Sequence, residues 1–501
     1  MIGTLTRSAG LLPLLALVGG CMVGPHYAGS PNVAPTAGAA VAFRRADVAP
    51  VTPAPPLARW WTALGDASLN RVMDDALANS PTLERALGVV REARAKVGQS
   101  SAALLPQGGA NAVYARVGVP GALNEALGSA AGGGTGSSSS ASGGSSVKVP
   151  DNLNLYNVGL LATWEIDLFG GVRRQIASAR ANLQASEADL QDAQVTLTRE
   201  VATAYVNLRD FQNRLAIARR NTAVQQRLVD LTQVRRRGGT ATDLDVERAV
   251  SQLKQTQATA VPLAGQVEIY TDQLSQLAGR EPGTLDALLA APALLPLPPA
   301  ETPVGNPADL LRRRPDVRAA ERRLAAANED VGAGIAQYFP TVNLYGTIGY
   351  GGTKLSNLFT GGNLLKLAAP VLSWNFLSFP TVKARVGQAR GRFDQARAAY
   401  RAAVLQALLD AENGLSRFGH DRDTVASLAD ASASATRTSV KTDLRYRGGT
   451  VTLIDALDAE RQRLQAESSL AQANAMLTMD WIGLQTSLGL GWASPSQPAP
   501  R

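Results

Sequence analysis

The sequence predicts a mainly α-helical chain that crosses a membrane through β-strands and is built from a duplicated β-α unit. Three observations carry that reading: two stretches repeat one another at fixed offsets, each half holds a long proline-free run, and segments alternating apolar and polar residues separate the runs. Composition agrees, since aromatic residues make only 5% of a chain rich in Ala, Leu, Arg and Gln, a balance that suits long helices.

At the amino terminus, Arg7 precedes an apolar run from Leu11 to Val18, which leads into Leu17-Val18-Gly19-Gly20-Cys21. This is the layout of a secretory signal, 1–20, ending in a lipoprotein box. Diacylation of Cys21 is expected, with acyl chains contributing roughly 0.8 kcal/mol per buried methylene to membrane attachment. Met22 rather than Asp follows the cysteine, which by likeness to other lipoproteins allows sorting to the outer membrane.

The duplication sets the architecture. Pro81/Pro315, Ala86/Ala320, Ala93/Ala327, Val97/Val331, Gly98/Gly332, Ala102/Ala336 and Pro106/Pro340 match at an offset of 234. Trp164/Trp374, Ala179/Ala389, Arg180/Arg390 and the pair of runs Arg237-Gly238-Gly239-Thr240 and Arg447-Gly448-Gly449-Thr450 match at 210, so the first half carries 24 extra residues. These fall around Gly128–Ser146, almost entirely Gly, Ser and Ala, which has too few apolar side chains to order itself and reads as an inserted loop. The repeats span 80–281 and 314–490, with a Pro-rich linker, 282–313, between them and a tail, 491–501, after them.

Within each repeat the expected order is helix, strand, loop, strand, long helix, Gly-Gly turn, helix. Strands are expected at about 106–119 and 154–170, and again at about 340–352 and 364–379. In the second of these, Tyr156, Val158, Leu160, Ala162, Trp164, Ile166 and Leu168 share one face, while Asn157, Gly159, Thr163, Glu165 and Asp167 fall on the other. Pro370 weakens the last segment. A soluble half-buried sheet would alternate the same way, but runs this long exceed the usual soluble strand of about 5 to 6 residues. Four strands cannot close a membrane barrel, which needs about eight at least, so oligomerisation follows from geometry.

The long helices are expected at about 172–234 and 381–444, each spanning on the order of 90 Å at 1.5 Å per residue. The shorter segments, from about 81 to 104 and from 242 to 278, sum to about one long helix and are expected to stack end to end beside it. Leu253, Thr256, Ala260, Leu263, Val267, Tyr270, Leu274 and Leu277 alternate by threes and fours, the spacing of a coiled-coil packing seam.

Several function classes are excluded. The net charge of +8 comes from interspersed residues, without the basic block that nucleic-acid binding favours, so no nucleic-acid partner is expected. One cysteine and two histidines, His26 and His420, leave no disulfide, no multi-His metal site and no His-based relay. No phosphate-binding Gly-rich loop or nucleophile elbow appears, since the Gly-Gly pairs lie at helix turns rather than after strands. No enzyme activity and no cofactor are therefore expected.

The lipobox, Gly24-Pro25-His26-Tyr27, Trp60-Trp61 ahead of Asp66, Arg314-Pro315-Asp316-Val317, and Tyr446-Arg447-Gly448-Gly449-Thr450 leading to Asp455-Ala456-Leu457-Asp458-Ala459 together resemble the TolC-like outer-membrane factors, in particular the lipoprotein branch of NodT type. The resemblance runs from about Cys21 to Leu490. It implies a mainly α fold with a membrane β-barrel: a homotrimer whose duplicated β-α units form a 12-stranded outer-membrane barrel continued by a long periplasmic α-helical barrel. It also implies that 21–79 forms a lipid-anchored N-terminal segment and equatorial region. The implied partners are outer-membrane lipid, a periplasmic adaptor (membrane fusion) protein and an inner-membrane RND-type transporter. The implied function is passive conduction of small toxic compounds; a duct for type I protein secretion and a non-conducting structural lipoprotein are the alternatives.

By the same resemblance the two turns, 235–241 and 445–451, form the periplasmic tip. Glycine at Gly238-Gly239 and Gly448-Gly449 permits the positive φ that a tight reversal needs. Asp455 and Asp458 lie three residues apart and share a helix face; with Asp245 of the first repeat they become acidic rings under threefold symmetry, which would attract cations. For Asp245 the helix dipole explains a carboxylate at a helix start equally well, whereas for Asp458, one turn further in, the pore reading is the favoured one. Tyr446 matches a family tyrosine that latches the closed tip, while Val451 stands where some relatives use arginine. Arg235, Arg237, Arg445 and Arg447 could dock acidic groups of an adaptor or simply complement helix C-termini.

Overall fold

The computed structural model describes residues 22–118, 152–291 and 293–492. The signal segment with Cys21, the Gly/Ser-rich insertion and the tail beyond Trp492 lie outside the described residues. No described helix is long and apolar enough to cross a membrane.

In chain order the main elements are α1 (Ala67–Asn79), α2 (Pro81–Ala102), β1 (Gln107–Gly118), β2 (Asn152–Ile166), α3 (Gly171–Arg237) and α4 (Asp243–Leu277). A short α5 (Pro307–Arg313) leads into α6 (Pro315–Ala336), β3 (Thr341–Gly352), β4 (Leu364–Ser373), α7 (Phe379–Arg447) and α8 (Leu453–Ser487). The order repeats, as the duplication requires. The described residues within Met1–Tyr27, Ala95–Arg180 and Ala326–Phe393 gather into one compact unit, and those within Ala28–Arg94, Ala181–Ala325 and Asp394–Arg501 into another, so the units cut across the repeats.

The first unit contains one antiparallel sheet of order β1-β2-β3-β4. Its register places Leu160 opposite Ile348 and Trp164 opposite Leu344, so the apolar positions of neighbouring strands share a face. Asn157, Thr163, Glu165, Asn343 and Thr347 alternate onto the other face. Leu160 is 59% and Leu372 67% exposed, an arrangement that water disfavours and lipid favours. Pro370 is accommodated because β4 is an edge strand.

Two strands end earlier than the alternation suggests. β2 stops at Ile166 rather than at 170, because Leu168 N–H turns back onto Ile166 O and the Asp167 carboxylate accepts from Arg173 N–H at 2.9 Å, starting α3. β4 stops at Ser373 rather than at 379, because Phe376–Ser378 form a 3₁₀ turn and α7 begins at Phe379. Both tryptophans at this level are tied by the repeat: Trp164 Nε1 donates to Leu104 O at 2.9 Å, and Trp374 Nε1 to Tyr338 O at 3.1 Å.

The second unit shows the expected end-to-end stacking. Gly279, just past α4, has φ +66 and abuts Asn79 O, immediately ahead of α2; a Cβ there would lie 2.3 Å from that oxygen. Gly489, just past α8, likewise has φ +73 and abuts Arg314, ahead of α6. Arg280 pairs with Asp75 at the first junction. At the second, buried Arg314 donates to Ser487 O, satisfying an orphan carbonyl of α8, and pairs with Asp316 and Asp410. The core of this unit centres on Trp60, Trp61 and Trp481, packed edge to face. Asp66 caps α1 through Ser68 and Leu69 N–H, and accepts from the buried Tyr205 hydroxyl at 2.6 Å. These contacts account for the Trp60-Trp61…Asp66 and Arg314-Pro315-Asp316 motifs.

Replacing Arg314 by Met should leave Asp316 and Asp410 unpaired and destabilise the helical unit by about 3 kcal/mol; urea unfolding followed by circular dichroism would show it. An unchanged midpoint would mean the network is solvated.

Candidate functional site

The two Gly-Gly turns have the same geometry. In each, the residue after the second glycine donates back to a carbonyl five residues earlier: Thr240 N–H to Arg235 O and Thr450 N–H to Arg445 O, both at 2.9 Å. Only the second glycine, Gly239 or Gly449, takes positive φ, at 75° in both cases; Gly238 and Gly448 continue the helical chain, so the sequence overstated their need.

Each following helix starts with a reciprocal capping box. Thr242 Oγ1 accepts from Asp245 N–H while Asp245 Oδ2 accepts from Thr242 N–H at 3.0 Å. Thr452 and Asp455 repeat this, with the Thr452 hydroxyl donating to Asp455 Oδ2 at 2.6 Å. The Thr452 hydroxyl and amide hold the Asp455 carboxyl below its ordinary value, and the Thr242 amide and hydroxyl do the same for Asp245. The Thr-x-x-Asp spacing was present in the sequence and signalled this role. Asp458, one turn further on, accepts from Arg461 at 2.6 Å and from Gln462 at 2.7 Å. Asp455 and Asp458 both remain in contact with solvent, and Asp458 lines a groove with Arg248, Ser251, Ile454 and Arg461.

The hairpins are joined through Tyr446. Its side chain is 3% exposed, in a cluster with Leu228, Val229, Ala249, Leu253, Leu453 and Ala456. The Tyr446 hydroxyl lies 3.3 Å from Thr232 Oγ1. The Arg235 guanidinium lies over the Tyr446 ring, 4.3 Å from its centroid, and donates to the carbonyls of Tyr446, at 2.5 Å, and Arg447, at 3.1 Å. Arg235 thus serves the helix C-terminus, as the dipole argument requires, but that of the other hairpin. Arg447 pairs with Asp443, and Arg236 with Asp243. Arg237 and Arg445 stand at the turns, Arg445 close enough to Asp455 to help lower its pKa.

Sequence reasoning missed a buried network in the second hairpin: Glu460 accepts from Ser439 at 2.6 Å and pairs with Arg463, which also reaches Glu467. Burial pushes Glu460 up, yet Arg463 and Ser439 bring it below its usual value. Its counterparts in the first hairpin are Val250 and Leu253, a contrast the repeat alignment could have exposed.

In the first unit, Arg174, 1% exposed, donates to Val23 O at 3.2 Å and Gly24 O at 3.1 Å while pairing with Glu329 at 2.7 Å. Val23 N–H donates to Phe169 O, and Asn328 Nδ2 to Pro25 O. The segment just after Cys21 is thereby fastened beside the strand-to-helix junction.

A four-stranded sheet with two open edges, joined to long helices turning at paired Gly-Gly tips, is matched by the family described as "Outer membrane efflux protein" over residues 72–280 and 306–490. The chain belongs to this family. Over 98% of its length it is 30% identical to the pyoverdine export outer membrane protein OpmQ of Pseudomonas putida, covering 99% of that protein. Nodulation protein T of Rhizobium leguminosarum bv. viciae is 28% identical over 99% of this chain and 95% of its own. The solved outer-membrane channel OprN superimposes with a TM-score of 0.83 at 33% identity, over 94% of this chain and all of that one.

The protein is accordingly an outer-membrane efflux channel of a tripartite system. It works as a homotrimer whose 12-stranded barrel sits in the outer membrane and whose helices extend into the periplasm, together with a periplasmic adaptor and an inner-membrane transporter.

Two substitutions separate the parts of the cross-hairpin contact. Tyr446→Phe should keep the Arg235 stack and lose only the Thr232 hydrogen bond, about 1 kcal/mol, whereas Tyr446→Ala should also open a cavity and cost about 3 kcal/mol. Amide exchange in peptides covering the two turns would rank them; equal protection would show that the ring contributes nothing.

Proposed function

We propose that the trimer conducts small toxic compounds passively, handed over by a pump and adaptor, and that its periplasmic end is held shut by Tyr446 with Arg235 and by rings of Asp455 and Asp458, with Asp245 contributing from the first hairpin. The observation that carries this is the Arg235–Tyr446 contact. It is a solvent-near tie between the two hairpins, set beside the Thr232–Tyr446 hydrogen bond and a small apolar cluster. A cation–π contact with two charge-assisted bonds is strong enough to hold, yet small enough to be exchanged for contacts with a partner.

Threefold symmetry repeats every carboxylate three times. Asp455 and Asp458, exposed and ionised, then favour cations in a narrow opening and hinder anions. Arg237 and Arg445, which stand at the turns, together with Arg447, form the basic rim that we assign to adaptor docking. Cys21 is the acylation site in this reading, and the Arg174 clamp on Val23–Gly24 supports it by keeping the segment after it at the barrel's base.

The chain itself is read as a conduit that carries out no chemical step, the energy coming from the inner-membrane partner. Its curated relatives include a protein named for pyoverdine export, a small molecule, which favours small compounds over protein secretion as cargo.

Single-channel current across a planar bilayer tests the gate. Arg235→Ala and Tyr446→Ala should raise open probability by roughly tenfold, the equivalent of about 1.4 kcal/mol, and Asp455→Ala/Asp458→Ala should raise conductance and weaken cation preference. Unchanged currents would remove these residues from the gate. Radiolabelled palmitate should enter the wild type and not Cys21→Ser.

A further inference from the structure

The two hairpins differ again at a further station where the duplication makes comparison direct. Phe211 on α3 and Tyr270 on α4 stack with centroids 5.5 Å apart and planes at 20°, and Arg214 lies over the Phe211 ring. At the offset of 210 that relates the hairpins, the same positions on α7 and α8 are Asp421 and Asp480. An aromatic brace in one hairpin is replaced by two carboxyl groups in the other.

Two carboxylates facing each other in a half-buried seam repel, but one proton between them converts the repulsion into an O–H···O⁻ hydrogen bond. Asp421 Oδ2 is buried, and no donor among the described residues reaches it. A protonated Asp480 is the group placed to supply one. Asp480 also lines a cavity of about 300 Å³ that opens to solvent, giving protons access.

The charges facing the pair are few. Arg417 approaches from α7, and Arg199 and Asp192 of α3 line the same cavity. Arg314, which also lines it, is already paired with both Asp316 and Asp410. The linker segment against α8 presents Pro296 O to Thr478 and the Thr302 hydroxyl to Trp481, neither of them titratable. Burial, then the hydrogen bond and charge of Asp421, push Asp480 up to about 7, with Arg417 opposing.

We propose that Asp421 and Asp480 share one proton and form a pH-operated brace between α7 and α8, tight in an acidic periplasm and loosened toward neutral and above. The sign follows from linkage. A carboxyl that binds its proton more tightly in the joined state stabilises that state as pH falls from 7 toward the ordinary carboxyl range, and the stabilisation is lost as pH rises through that window. The braced hairpin is the one that carries Tyr446, Asp455 and Asp458, so its stiffness bears on the proposed gate; the brace itself does not depend on that reading.

Hydrogen–deuterium exchange on the full-length trimer in nanodiscs, corrected for the intrinsic rate, tests the brace without reference to conduction. Between pH 5.5 and 7.5, wild-type peptides spanning residues 417–425 and 477–484 should open at least tenfold more, since one linked proton gives up to about tenfold per pH unit. Peptides around Phe211 and Tyr270 should not change. Asp480→Asn should flatten the profile, and Asp421→Phe/Asp480→Tyr, carrying the first hairpin's rings, should be protected at every pH. Should Asp480→Asn fail to assemble, Asp421→Asn provides the same flattening. A wild-type profile without pH dependence, or an asparagine variant that keeps the slope, would overturn the proposal.

Discussion

An unpaired peptide group in hydrocarbon costs several kcal/mol, and this one penalty organises the whole molecule. The sheet exposes apolar side chains along its strands and leaves β1 and β4 as edges. No single chain can satisfy those edges in lipid. Closure by three copies does, and once the symmetry is threefold every residue near the axis becomes a ring. The gate chemistry assigned to Asp455 and Asp458 therefore depends on backbone hydrogen bonding in the other unit of the same chain.

The duplication supplies a second constraint. Equivalent backbones, with the same turns, capping boxes and end-to-end helix junctions, mean that local stability is largely shared between the hairpins. What distinguishes them is side chains at matched stations: Tyr446 against Arg236, Glu460 against Val250, and Asp421 with Asp480 against Phe211 with Tyr270. In each case the second hairpin carries the group whose interactions are polar or titratable, or that reaches across to the other hairpin. Apolar contacts are indifferent to pH and to the chemistry of a partner, whereas exchanged hydrogen bonds and shared protons respond to both.

The N-terminal segment applies the same economy at the membrane. Arg174 is buried with its charge neutralised by Glu329 and its remaining donors spent on the carbonyls of Val23 and Gly24. A buried guanidinium stripped of such partners would be costly, so the segment and the clamp hold one another in place.

The sequence by itself determined the element order, the duplication, the helix seams and the Gly-Gly turns, because these rest on periodicity and local backbone preference, which are properties of neighbouring residues. It also contained the Thr-x-x-Asp caps, legible through spacing alone. Strand ends at Ile166 and Ser373 escaped it, since alternation continues past the point where Asp167 and the 3₁₀ turn at Phe376–Ser378 redirect the chain. Only the tertiary structure could decide that Arg235 grips Tyr446, that Arg314 closes the end of α8, that Arg174 holds Val23, and that Asp421 meets Asp480. Those partners lie far apart along the chain, and no local rule specifies which distant residue a guanidinium or a carboxyl will meet once the helices are packed.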